Sequence, residues 1–191
     1  DVRAWREKGL HDLQTALGVK SVKRIEGYDI SNIQGADAVG SMVVFADGIP
    51  AKNDYRRFKI RLPQRPNDTA MIREIIARRL AHREWPLPAV MVIDGGKAQL
   101  NAALTAAQHI KRIRVVALAK REEELYLPGR TILKLKESSQ PLLHLMQAVR
   151  NEAHRFALSY HHKRRTKTLF KNAPPRHRKR PIKSRKTKRR R

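Results

Sequence analysis

Two short runs, AVMVID at 89–94 and IRVVALAK at 113–120, are apolar at successive rather than alternate positions, apart from Arg114 and the last residue of each. That pattern belongs to strands covered on both faces. Between them KAQLNAALTAAQHI is rich in Ala and Leu and reads as a helix. Strand, helix and doubly buried strand in that order point to parallel pairing through a helical crossover.

Upstream the period is different. RAWREKGLHDLQTAL at 3–17 reads as an amphipathic helix, and 24–30 as a strand. AVGSMVVFADG follows, with Val39, Ser41, Val43 and Phe45 on one face, and Asp47-Gly48 is a hairpin turn signal. AKNDYRRFKI makes a third strand around Tyr55 and Phe58, so the first three strands form a meander. Residues 67–83 return to helical spacing through Met71, Ile75, Ile76 and Leu80, with Asn67 or Asp68 as N-cap. After the parallel strands, ELYLPGRTILKL reads as a hairpin turning at Pro128-Gly129, and SQPLLHLMQAVRNEAHRFALSYHHKRR as one long helix. The order βββ-α-β-α-β-hairpin-α is the ribonuclease H-like arrangement, an α/β fold with a mixed five-stranded sheet flanked by helices.

The formal net charge of +26 calls for a polyanionic partner, and nucleic acid fits better than a membrane. No apolar run approaches the roughly 20 residues that span a bilayer. The chain has no Cys, which removes disulfides, thiol nucleophiles and Cys-ligated metals and fits a cytoplasmic protein. From His161 to Arg191 there are 16 Lys or Arg and no acid; the remainder holds 27 basic and 17 acidic residues, a net of +10. The body is therefore basic in its own right, and 168–191 is expected to be a disordered basic tail. The expected division is a helical lead-in over 1–23, a folded domain over 24–167 and that tail.

In such a basic chain, two acids stand out. Asp29 lies in 24–30, a run that otherwise reads as a buried strand, where a carboxylate is costly without a partner. Asp94 ends the strand 89–94 before Gly95-Gly96. The proposed topology sets these strands side by side at the sheet centre. Two carboxylates brought together there need a cation between them, and Mg²⁺ or Mn²⁺ suits oxygen ligands. The alternatives are local: Asp29 could cap a turn with Ser31 and Asn32, and Asp94 could be a turn residue. On the long helix, Leu145, Val149, Ala153, Phe156 and Tyr160 form an apolar stripe. His144, Gln147, Asn151 and His154 form a polar row beside it. That row is either a solvated boundary or a way of presenting His154 for proton transfer near neutral pH.

The blocks RIEGYDISNIQG, SMVVF, YRRFKI, VIDGGKAQLNAAL, ALAKREEELYLPG and NEAHRFALSYHHKRR occur in one order from Arg24 to Lys167. Together they resemble the C-terminal endonuclease domain family of UvrC, the nuclease subunit of the bacterial excinuclease. The resemblance implies a ribonuclease H-like nuclease that makes the 5′ incision in nucleotide excision repair of damaged double-stranded DNA with Mg²⁺ or Mn²⁺. The family's catalytic aspartates fall on Asp29 and Asp94, and its histidine on His154. A further acid falls on Asp68, with Glu74 as the neighbouring candidate and the N-cap reading of Asp68 still open. UvrB, with UvrA upstream, is the implied protein partner.

Where the family carries an acid before EAHRFA, this chain has Asn151. The GIY-YIG nuclease, the UvrB-binding helical segment and the helix-hairpin-helix repeats have no counterpart in the sequence, so a fragment or truncated product is expected. Lys97, Lys120, Arg121 and Arg155 lie beside the motifs and are candidates for gripping the phosphate backbone, with ordinary surface charge as the alternative. Two other readings compete with the DNA nuclease. One is a non-catalytic nucleic-acid-binding remnant of the fold; the other is a related nuclease acting on RNA or junctions.

Overall fold

In the computed structural model the described residues are 1–31, 38–61, 67–119 and 123–171, with side chains described up to Ser159 apart from those of Ser31 and Arg130. Lys120, Arg121 and the segment 172–191, which includes most of the expected tail, lie outside them. Among the described residues eight strands form one mixed sheet: β1 (Arg24–Ser31), β2 (Val39–Ala46), β3 (Ile49–Pro50), β4 (Arg56–Lys59), β5 (Val90–Asp94), β6 (Arg114–Ala119), β7 (Glu124–Tyr126) and β8 (Ile132–Lys134). The order is β3-β2-β1-β5-β6-β7-β8, and β4 also pairs with β2. This is the expected ribonuclease H-like fold with a wider sheet than five strands. The hairpin at 124–134 continues the sheet beyond β6, and β3 adds a short pair beside β2.

β1 and β2 pair antiparallel, while β1, β5 and β6 run parallel. The turn at Asp47-Gly48 closes the β2–β3 hairpin: φ is 48° at Asp47 and 74° at Gly48, and tight two-residue hairpin turns need positive φ. β5 and β6 are buried on both faces, as their uninterrupted apolar runs require. β2 is as well; Gly40, Met42 and Val44 are buried alongside Val39, Ser41, Val43 and Phe45. It is therefore a covered strand rather than one with a single apolar face.

Two helix layers cover the sheet. On one side lie α2 (Asp68–Ala81) and α3 (Lys97–Ala107), with Ile75 packed over Gly40. On the other side α5 (Gln140–Lys171) crosses β1 and β2, following the short α4 (Leu135–Ser138). At Gly27 β1 and α5 approach closely. A Cβ there would sit 2.5 Å from Val149 Cγ1, so only glycine lets the helix down onto the strand. The N-terminal helix α1 (Val2–Leu17) packs along α5. Trp5 Nε1 donates to His144 Nδ1 at 3.1 Å, and the Ser139 hydroxyl donates to Asp12 while accepting from Leu142 N at the start of α5.

On the α2 side of β1 the sheet holds a charged core. Glu26 and Arg79 are both fully buried and meet through three contacts of 2.8–3.1 Å. Tyr28 donates its hydroxyl to Glu26 at 2.6 Å, and Arg24 adds a bond at 3.1 Å. Burial, reinforced by the neighbouring Glu26 carboxylate, pushes the Tyr28 phenol well above its usual range.

Candidate active site

β5 ends at Asp94, two residues short of the end of β1. Their parallel register pairs Tyr28 with Ile93, so the next residue on each strand sets Asp29 beside Asp94. Adjacent strands lie about 4.8 Å apart, and residues in register point to the same face. Because Gly27, two residues before Asp29, faces Val149, this is the α5 face. Asp29 is 8% exposed and Asp94 half-buried. The return of the chain through α2, between β4 and β5, explains this placement: it lays β5 parallel to β1, so that both strands run toward the same edge of the sheet.

α5 brings His154 to the same end of the sheet. Its Nδ1 lies 3.1 Å from Asp29 Oδ2. The ring is half exposed while Asp29 is largely covered. An ionised carboxylate only accepts, so Nδ1 carries the proton and, in the neutral ring, Nε2 keeps its lone pair. Val149 and Ala153 are buried on the helix stripe as expected, and His154 stands beside that stripe. Among the described residues no set of three or more His, Asp or Glu side chains is gathered closely enough to enclose a metal ion. Two register-matched carboxylates, one of them bonded to a histidine, are what this end of the sheet offers. Hard oxygen donors paired in this way fit Mg²⁺ or Mn²⁺.

Asp68 is exposed in the first turn of α2, and it is not the cap. Asn67 caps the helix, its side chain accepting from Ala70 N at 3.1 Å. Glu74 accepts the Arg61 backbone N–H at 3.0 Å and pairs with Arg78 at 2.9 Å, which ties the end of β4 to α2. Lys97 is the first residue of α3, three places past Asp94, with Nζ 5.6 Å from the Tyr126 ring centre. Arg155 is engaged by Glu152 through two contacts of 2.6 Å. Asn151 is exposed and accepts from Arg150, which also reaches Glu123 at 3.4 Å.

The sequence reading missed the residues that extend the carboxylate row across the sheet. Asp29 pairs with Ser41 of β2, and Ser41 pairs with Arg57 of β4. Ser41 is fully buried, and among the described residues its hydroxyl has no hydrogen-bond partner. Arg57 Nη2 donates to the Phe156 carbonyl at 3.1 Å and to Ser159 Oγ at 2.7 Å. Its guanidinium lies 3.7 Å from the Phe156 ring centre. Tyr55 meets Phe156 edge to face and donates to Glu152 at 3.0 Å. Arg155 holds the Glu152 carboxyl below its usual value; burial, with the Glu152 bond, pushes the Tyr55 phenol up. The only signal for this row was strand parity, which becomes useful once the pairing register is known.

A family model described as the UvrC RNase H endonuclease domain matches residues 14–158. UvrABC system protein C of Dictyoglomus thermophilum is 50% identical over 166 residues, 84% of this chain and 28% of that protein. The protein of the same name from Gloeobacter violaceus is 47% identical over 179 residues, 88% of this chain and 28% of that protein. The chain thus spans little more than a quarter of the length of these curated relatives. Among solved structures, Ciona intestinalis endonuclease V in complex with a 24mer DNA containing an inosine followed by a ribo-adenosine is similar with a TM-score of 0.41. The identity there is 19%, covering 63% of this chain and 59% of that one.

Proposed function

The chain belongs to the UvrC RNase H endonuclease domain family, and from that premise we propose that it is a divalent-metal-dependent endodeoxyribonuclease. Its reaction is phosphodiester hydrolysis in damaged double-stranded DNA, on the 5′ side of the lesion, during nucleotide excision repair in the cytoplasm. The observation that carries this reading is the register of β1 and β5, which sets Asp29 of β1 beside Asp94, the last residue of β5, on the face that His154 approaches.

Asp29 and Asp94 are the residues that would hold Mg²⁺ or Mn²⁺. Such an ion supplies polarisation of the phosphoryl oxygen and a bound water of lowered pKa. Asp29 also accepts the His154 Nδ1 proton, which fixes the ring and aims Nε2 outward. From there Nε2 takes a proton from water or returns one to the leaving oxygen. Lys97 is placed to neutralise phosphate near Asp94; Lys120, Arg121 and Arg155 extend the same role along the backbone. Asp68 serves as a further acid at the start of α2. UvrB, with UvrA acting earlier, delivers the damaged DNA.

Asn151, at a place where the family carries an acid, favours a second reading in which the fold binds DNA without cutting it. Nicking of damaged duplex in Mn²⁺ separates the two. The parent chain is expected to nick, and Asp29→Asn and Asp94→Asn each to lower the rate by at least 10²-fold at unchanged melting temperature. The double variant should lose little more than either single one, because one site is lost once. A folded Asp29→Asn protein nicking at the parent's rate would falsify the assignment.

A further inference from the structure

His154 stands on a helix whose rotation about its own axis is set elsewhere. At about 100° per residue, Glu152, Phe156 and Ser159 line one flank of α5, and His154 lies roughly 160° round from them. Val149, Ala153 and Ala157, all buried, run between the two flanks and face the sheet. The first flank is held from β4 and the residue before it. Arg57 bonds the Phe156 carbonyl and the Ser159 hydroxyl, and Tyr55 bonds Glu152. The second flank meets the sheet where His154 reaches Asp29.

Both attachments start from one cross-strand row, Arg57–Ser41–Asp29. Two strand spacings separate its ends, about 9.6 Å, close to the 10–12 Å diameter of a helix with its side chains. α5 therefore lies across the row as in a saddle, gripped by Arg57 on one flank and touching Asp29 on the other. Beyond Val149, which is seated over Gly27, the stripe offers little resistance to a roll at this end, because Ala153 and Ala157 are small and smooth. A roll of about 20° would move an atom roughly 6 Å from the axis by about 2 Å, enough to break a 3.1 Å contact.

We propose that Arg57 is a positioning residue for His154. Anchored in the same cross-strand row as Asp29, it fixes the rotation of α5 through the Phe156 carbonyl and the Ser159 hydroxyl. This rests on the role given to His154 above, and its test has a reading that does not depend on activity.

That reading is the ring nitrogen NMR shifts of His154 in the full 191-residue chain. Asp29→Asn defines the shifts of a ring that has lost its carboxylate partner. Arg57→Met keeps the stem and removes the donors; its His154 shifts should move toward those of Asp29→Asn while the melting temperature changes little. Arg57→Lys, which retains a donor for Phe156 and Ser159, should restore the parent shifts. In Mn²⁺-dependent nicking, Arg57→Met should lower kcat about tenfold with KM for DNA within twofold. Placed on His154→Ala it should have no further effect. Parent-like His154 shifts in a folded Arg57→Met protein overturn the proposal. So does a rise in KM that persists on His154→Ala, which would make Arg57 a DNA contact. If Arg57→Met unfolds the chain, Ser159→Ala with Arg57 intact gives the same shift test, with the same two outcomes. Should His154→Ala nick like the parent while Arg57→Met still moves the ring shifts, the positioning stands and the proton-transfer role of His154 falls.

Discussion

Glu26 and Asp29 are three residues apart on β1 and so point to opposite faces of the sheet. Glu26 meets a buried arginine, whereas Asp29 meets a half-exposed histidine. The same costly residue type thus serves two purposes. Glu26 is neutralised within the fold, and removing one member of such a buried pair leaves an uncompensated charge worth about 3–5 kcal/mol. Glu26→Ala is therefore expected to lower the melting temperature by roughly 10 °C or more. Arg79→Met added to it should recover part of the loss, because the double variant leaves no lone charge from the pair. Thermal unfolding of the two singles and the double checks this, and strictly additive losses would contradict it. Asp29 was legible from the sequence because an acid in a buried strand asks for a reason. Arg79 was not, because in a helix rich in arginine nothing in the local pattern marks the one that turns inward.

Elements carry the rest of the site, and their legibility follows how local their cause is. α2 and α3, the doubly buried strands β5 and β6, and the Asp47-Gly48 turn are written in nearest-neighbour patterns, and the structure follows them. The cap of α2 resolved to Asn67 because its side chain, one place earlier than Asp68, reaches Ala70 N. The extra width of the sheet and the row Arg57–Ser41–Asp29 depend on pairing between distant segments, which no local pattern records. The docking of α5 also depends on such distant contacts. Two of them involve carboxyls held below their ordinary values: Glu152, held chiefly by its bond to Arg155, and Asp12, held chiefly by Ser139. A lowered folded-state pKa contributes stability that is present above the unfolded value and is lost as pH falls through the folded value. The ordinary values are 4.5 for Glu152 and 3.8 for Asp12. The grip on α5 should therefore be complete above about pH 5 and weaken progressively below about pH 4. Amide exchange along 140–159 should quicken in that range ahead of β5 and β6. Uniform exchange across the molecule as pH falls would contradict it.

For the whole molecule, the governing quantity is charge. Beyond Lys171 the sequence holds 11 Lys or Arg and a single large apolar residue, Ile182. Deleting 172–191 should leave the melting temperature of the body unchanged. It should flatten the dependence of DNA affinity on salt, each lost phosphate contact lowering the slope by about 0.9. A lost or broadened thermal transition would show that the segment supports the fold. The body keeps a basic excess of its own, so weakened DNA binding is expected to remain. The body combines that excess with an acidic pair, Asp29 and Asp94, on neighbouring central strands, a combination that makes sense if the pair holds a cation and the basic residues hold a polyanion. The most direct measurement is a Mn²⁺ titration of the parent chain followed by electron paramagnetic resonance, beside Asp29→Asn and Asp94→Asn. The account predicts one saturable site in the parent and its loss in both variants, each still folded. Equal Mn²⁺ binding by the parent and a folded Asp29→Asn protein would contradict it.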